Sequence, residues 1–135
     1  MKLTLLGNPV AKARPRTVRL KSGKSITYTP DKTVAAENAW RDIFTKSGET
    51  PFSPDTPLLF MVTFYLQRPK SAPKKRVWPV KKPDSDNYEK LVMDALNGFA
   101  YQDDSAIVRK VTSKRFVTYP DPPRTELEII PLEGC

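Results

Sequence analysis

Pro57-Leu58-Leu59-Phe60-Met61-Val62-Thr63-Phe64-Tyr65-Leu66-Gln67 is the stretch on which the fold turns. It is rich in β-branched and aromatic residues, which suit a pleated strand. The apolar run is nearly continuous, so it predicts a central strand in a sheet covered on both faces. On its N-terminal side, Thr29-Pro30-Asp31 has the form of a helix start, with Thr29 as cap and Pro30 in the first helical position. Ala36, Ala39, Trp40, Ile43 and Phe44 give that helix an apolar stripe to about Lys46, and Ser47-Gly48 ends it.

Further out, Lys2 to Leu6 reads as a short opening strand broken by Gly7-Asn8-Pro9. Val10 to Lys24 is basic with few apolar anchors. It reads as a loop or hairpin with Ser22-Gly23 as its turn and Ser25 to Tyr28 as the returning strand. On the C-terminal side, Arg68 to Pro83 holds four prolines and should be an extended loop. A second helix is expected from about Asp86 to Asn97, where Tyr88, Leu91, Val92, Ala95 and Leu96 recur at helical spacing and Asn97-Gly98 is a stop. Ala106 to Tyr119 and Thr125 to Leu132 read as two closing strands. The order predicts an α+β fold, a mixed sheet of about four to five strands with two helices packed on it. A length of 135 residues fits a single domain over 1–135.

Charge narrows the function. The formal net charge is +8. Met1 to Pro30 carries seven basic residues and no acid, among them Lys12, Arg14, Arg16 and Arg19. Arg68 to Lys82 carries seven more, again without an acid, among them Lys74, Lys75 and Arg76. Two acid-free basic tracts are the footprint of a polyanion binder, nucleic acid being the commonest; a solvated basic surface kept for solubility is the plainer alternative. Histidine is absent and Cys135 is the only cysteine. That removes imidazole bases, zinc sites built on His or several Cys, and any intrachain disulfide. A bound metal would have to be a hard ion held by oxygen, Mg²⁺ or Mn²⁺. No apolar run approaches a membrane span, and a reducing, cytoplasmic setting is expected.

The candidate chemistry lies in Lys82-Pro83-Asp84-Ser85-Asp86-Asn87, then Lys90, Asp94 and Asp103-Asp104. In an extended run-in, Asp84 and Asp86 would point the same way. Asp86, Lys90 and Asp94 share one helix face. Phosphodiester hydrolysis needs a nucleophilic water and neutralisation of phosphate charge. One or two divalent cations held by carboxylates from separate segments supply both, and a lysine can stabilise the developing charge. Each feature also has a plain reading: Asp84 or Asp86 as a helix cap, Lys90 as an exposed helix lysine paired with Asp86, Asp103-Asp104 as a polar turn.

Lys82-Pro83-Asp84-Ser85-Asp86-Asn87-Tyr88-Glu89-Lys90, continuing through Met93-Asp94-Ala95-Leu96-Asn97-Gly98 and Tyr101-Gln102-Asp103-Asp104-Ser105-Ala106-Ile107-Val108, resembles the RusA family of Holliday-junction resolvases, crossover-junction endodeoxyribonucleases. The family pattern is a DxDN, a lysine four residues past the second Asp, a DAL on the helix, and an aromatic-x-DD before a strand. Gly7 to Arg16 resembles the Pro- and Arg-rich start of phage and prophage members. The loop between DAL and DD is one residue shorter than in some members, and Ala106 stands where Gln is often found. The resemblance implies that Asp84, Asp86 and Asp104 are metal-binding and catalytic, with the adjacent Asp103 a ligand or a structural group, and that Lys90 is the catalytic lysine. It implies Mg²⁺ or Mn²⁺ as cofactor, branched DNA as substrate, a role in recombination and repair, and a homodimer.

Lys12, Arg14, Arg16, Arg19, Lys74, Lys75 and Arg76 are the candidate phosphate contacts. Val77 and Trp78 read first as local core, with an interface or a DNA wedge as alternatives. The sequence is also compatible with two rival functions, a non-catalytic nucleic-acid-binding protein and a nuclease of broader range cutting flaps, forks or RNA.

Overall fold

The structure, a computed structural model, describes residues 1–133, so Cys135 lies outside the described residues. The central strand is β4, Leu58–Leu66. It pairs in parallel with β5 (Ile107–Phe116) and antiparallel with β6 (Arg124–Pro131). The opening strand β1 (Lys2–Leu6) pairs antiparallel with β6, giving a mixed four-stranded sheet in the order β1-β6-β4-β5. The α+β class and the mixed sheet are therefore as the sequence predicts.

Alternation sets the core. Leu58, Phe60, Val62 and Phe64 of β4 are buried, and the register sets Leu3 and Val62 opposite Leu127 and Phe60 opposite Ile129, all on one face. Each such side chain, fully buried, contributes on the order of 2–3 kcal/mol. Two helices close over this face: α1 (Asp31–Ser47), through Trp40 and Phe44, and α2 (Ser85–Leu96), through Tyr88, Leu91, Val92, Ala95 and Leu96. The expected cover on both faces is corrected. The intervening residues Leu59, Met61, Thr63 and Tyr65 are only half-buried, and Met61, Thr63, Val111, Glu126 and Glu128 line an open groove on the far side. The run looked two-sided because its outer residues are also apolar or aromatic, a pattern that a half-covered antiparallel neighbour tolerates.

Element ends shift by small amounts. Pro30, not Thr29, is the cap residue of α1, and its carbonyl accepts the N–H groups of Thr33 (3.0 Å) and Val34 (3.2 Å). Gly48 closes the helix at φ 72°, a left-handed position that glycine adopts without strain. The last strand begins at Arg124, and β5 begins at Ile107 after a 3-10 turn over Asp104–Ala106. The basic stretch forms a hairpin of β2 (Arg16–Arg19) and β3 (Ser25–Tyr28), separate from the main sheet, with all eight strand residues exposed. Among the described residues no helix is long and apolar enough to cross a membrane.

Candidate active site

The site grows from the N-terminus of α2. Asp84 is the residue before the helix, in an extended conformation, and its side chain makes no capping bond. Its carbonyl accepts the N–H of Asn87 at 3.1 Å, so the backbone starts the helix while the carboxylate stays exposed. Capping therefore does not account for Asp84. Asp86 sits in the first helical turn, where the helix dipole favours negative charge. Because Asp86 is already helical, the two carboxylates are not related by strand geometry. Asp86 faces a cleft of about 240 Å³ that it shares with Glu89, Lys90, Asp94, Asp104 and Lys110, and Asp84 is outside that set. The expectation that Asp84 and Asp86 point together is corrected for this reason.

Asp104 is delivered by a buried anchor. After Gly98, whose φ of 80° reverses the chain, Tyr101 packs into the core at 2% exposure and its hydroxyl donates to the carbonyl of Met93 on α2 at 2.7 Å. Burial, with the carboxylates of Asp104, Asp94 and Asp103 nearby, pushes the Tyr101 phenol well above its ordinary range, so it stays a donor. This folds the 3-10 turn back along α2 and brings Asp104 into the cleft with Asp86 and Lys90. Its neighbour Asp103 diverges. The Asp103 carboxylate accepts the Ser105 hydroxyl at 2.6 Å, a bond that lowers its pKa, and it lines a different groove, beside Tyr101 and Ser105.

Four participants were not singled out from the sequence: Glu89, Lys110, Thr112 and Lys114. Glu89 is buried on α2, paired with Lys110 of β5 (Nζ to Oε1, 2.9 Å) and accepting the hydroxyl of Thr112. Lys114 of β5 donates to the carbonyls of Lys81 (2.7 Å) and Pro83 (2.8 Å), fixing the chain just before Asp84. The signal available was period-two placement: Lys110, Thr112 and Lys114 alternate along β5, so they share one sheet face. It could be used only once α2 was known to lie over that face.

The basic residues divide. Arg14, Arg16, Arg19, Lys74, Lys75 and Arg76 are exposed. Lys12 is different. Its ammonium lies 3.3 Å from Glu37 Oε2 and 3.4 Å from Asp94 Oδ2, and is mostly covered, so it ties α1 to α2 rather than standing free for a phosphate. Its backbone N–H donates to the carbonyl of Asn87 at 2.9 Å. Among the described residues Lys90 forms no ion pair; it is exposed in the cleft. Val77 and Trp78 are exposed at 39% and 56%, which corrects their reading as local core. The Arg115 guanidinium stacks on Trp78 (5.6 Å to the centroid) and leaves much of the indole open.

All the acidic groups of the cleft are oxygen donors, the kind that suits a hard divalent cation. Among the described residues, however, no three acidic side chains gather into one metal-sized cluster. Asp86 and Asp104 share the cleft, while Asp84 stands outside it.

The cleft thus sets acidic side chains beside two lysines on an α+β fold whose two basic tracts are largely exposed. The sequence profile of the endodeoxyribonuclease RusA family matches residues 7–130. The chain is also 33% identical over 138 residues to the Bacillus subtilis (strain 168) protein described as uncharacterized protein YqaN, with 96% of this chain and 94% of that one covered. The chain belongs to the RusA family, and so to a class of enzymes that cut DNA internally.

Proposed function

We propose that this protein is a Mg²⁺- or Mn²⁺-dependent endodeoxyribonuclease that resolves Holliday junctions by nicking branched DNA during recombination and repair. The observation that supports it most is the convergence of both basic tracts on the start of α2. Lys12 at the edge of the first tract is bonded to Asn87, and Lys81 and Pro83 at the end of the second are held by Lys114. A duplex drawn in by either tract meets the same four-residue turn, Asp84 to Asn87.

Asp86 and Asp104 would hold the cation from the cleft; Asp84, exposed just before the helix and outside the cleft, would have to turn toward them to serve as the third carboxylate, and Asp103 lines a different groove. When bound, that ion supplies charge neutralisation on the phosphate and a nucleophilic water. Lys90, free beside Asp86 and Asp104, donates to a non-bridging phosphate oxygen as negative charge builds there. Exposed cations on the hairpin and the Arg68–Pro83 segment bind phosphates on either side and give affinity rather than sequence choice. A four-way junction has near two-fold symmetry and needs paired nicks, which a homodimer with two clefts provides.

The test is cleavage of a synthetic four-way junction with Mg²⁺ or Mn²⁺, beside forks, flaps and linear duplex, for wild type and Asp86→Asn. Junction cutting that EDTA and Asp86→Asn abolish, with binding retained, is the expected result. Binding without cutting under either metal would remove the enzymatic reading, and equal cutting of forks and flaps would remove the junction preference.

A further inference from the structure

A second cavity, of about 330 Å³, lies under the Arg68–Pro83 segment and outside the acidic cleft. Its base is Leu66, Tyr88 and Phe116, the two aromatic rings being buried at 5% and 7% exposure. Its walls include Pro69, Ala72, Pro73 and Pro79, and the exposed cations Arg76, Lys81 and Lys82 line it as well. We propose that this cavity receives one unstacked nucleobase of the bound DNA, beside the phosphate that is cut. The proposal deepens the nuclease reading above and rests on it.

Position is the first argument. Pro83 of the wall is followed directly by Asp84, and Tyr88 lies on α2 between Asp86 and Lys90, which line the cleft. Cavity and cleft therefore lie on opposite faces of the first turn of α2, and a strand crossing the N-terminus of that helix would present a phosphate to the cleft and a neighbouring base to the cavity.

Chemistry is the second. A base is a flat apolar body with a polar edge on a charged backbone. The cavity offers apolar and aromatic surface for the body, the side-chain amides of Asn8 and Gln67 for the edge, and cations for the flanking phosphates. A neutral apolar ligand would make no use of three cations. The volume is at the small end for ligand pockets, which suits one base and not a larger group.

The third argument is rigidity. The Arg68 guanidinium donates to the carbonyls of Pro73 (2.9 Å) and Lys74, and the Arg76 N–H bonds to Pro73 (3.0 Å). The Phe116 N–H donates to the carbonyl of Val77 at 2.9 Å, tying the segment to the end of β5. These bonds tie the segment to itself and to the end of β5, and a wall held in this way would lower the cost of ordering on binding. Extruding a base costs least where its pairing or stacking has already been weakened.

Four-way junctions carrying 2-aminopurine at single positions around the cut test this in EDTA, where the fluorescence reads base unstacking without any chemistry. One position should change about threefold on binding wild type while its neighbours stay flat, and a matching abasic site should slow metal-dependent cutting about tenfold, the worth of one stacked base. Ala72→Trp, which fills the cavity, should abolish the fluorescence change and cut intact and abasic junctions at the same reduced rate. Should that variant fail to fold, the abasic and fluorescent substrates with wild type decide alone. A uniform response at every position, or abasic junctions cut as fast as intact ones, overturns the cavity proposal while leaving the nuclease. Junction binding without cutting, but with the position-specific fluorescence change, overturns the nuclease and keeps the base pocket.

Discussion

The acidic cleft on α2 and the β2–β3 hairpin are both built from charged residues, yet they are held in opposite ways. The cleft joins residues far apart in sequence, and the chain around it is held by side chains reaching in from other elements. Tyr101 pins the chain before Asp104, Lys114 pins the chain before Asp84, and Glu89 is locked between Lys110 and Thr112. The hairpin joins residues that are sequence neighbours, buries none of its eight strand residues, and is held by its own ladder and one Thr17–Thr27 contact of 3.1 Å. The difference follows from the work each is proposed to do. Chemistry at a phosphorus centre tolerates little misplacement. Binding a phosphate backbone by charge tolerates a great deal, because the attraction is long-ranged and non-directional.

That contrast breaks most visibly at the centre of the cleft. Asp86→Asn keeps the size of the side chain and removes its charge. We expect a loss of about 10³-fold in junction cleavage, equivalent to about 4 kcal/mol of transition-state stabilisation, with junction affinity within about threefold of wild type, since charge-driven binding resides elsewhere. Single-turnover cleavage beside a gel-shift titration separates the two. A variant that cut normally would place the cation elsewhere. Lys90→Ala should follow with about a 10²-fold loss, the usual cost of removing one donor aimed at developing charge. Here the split between rate and affinity carries the argument. A matched loss of both would make Lys90 a DNA contact instead.

The same contrast explains what could be read from the sequence. The strands, both helices and the hairpin were legible because they rest on local periodicity and turn chemistry, which the chain displays directly. β4 was legible from its β-branched and aromatic composition, although its one-sided burial was not, and Tyr88, Leu91, Val92 and Ala95 step along α2 as helical spacing requires. Lys90, Asp86 and Asp94 share the cleft as helical spacing implied. What the sequence hid depends on which strand a helix covers. Lys110, Thr112 and Lys114 are unremarkable in an edge strand until α2 is laid over them. Lys12 reads as one more cation in a basic run, but Glu37 and Asp94 converge on it from two helices. Trp78 was misjudged because a large aromatic residue is usually core; here an arginine covers one side only.

A smaller effect probes how Asp104 is held. Tyr101→Phe leaves the ring in the core and deletes the hydroxyl that bonds Met93, stranding a carbonyl with its only loss being one hydrogen bond. The expected cost is about 1–2 kcal/mol in urea unfolding. If the bond also sets the 3-10 turn, cleavage should fall several-fold at full folding while Asp86-independent binding holds. Reduced stability with unchanged cleavage would show that the turn finds its place without Tyr101.

The smallest expected effect is at the start of the hairpin and the residues leading into it, and there the readout has to be salt rather than rate. Arg14→Ala with Arg16→Ala removes two exposed cations and no buried contact, so stability should stay within about 0.5 kcal/mol. If both contact phosphates, the slope of log affinity against log salt should become shallower by about two, one for each cation lost. Cleavage at saturating enzyme should be unchanged, because nothing in the hairpin reaches the cleft. A slope that did not move would place this tract off the DNA. The Arg68–Pro83 segment would then carry the binding alone, although Lys12 would still join the foot of the first tract to the start of α2.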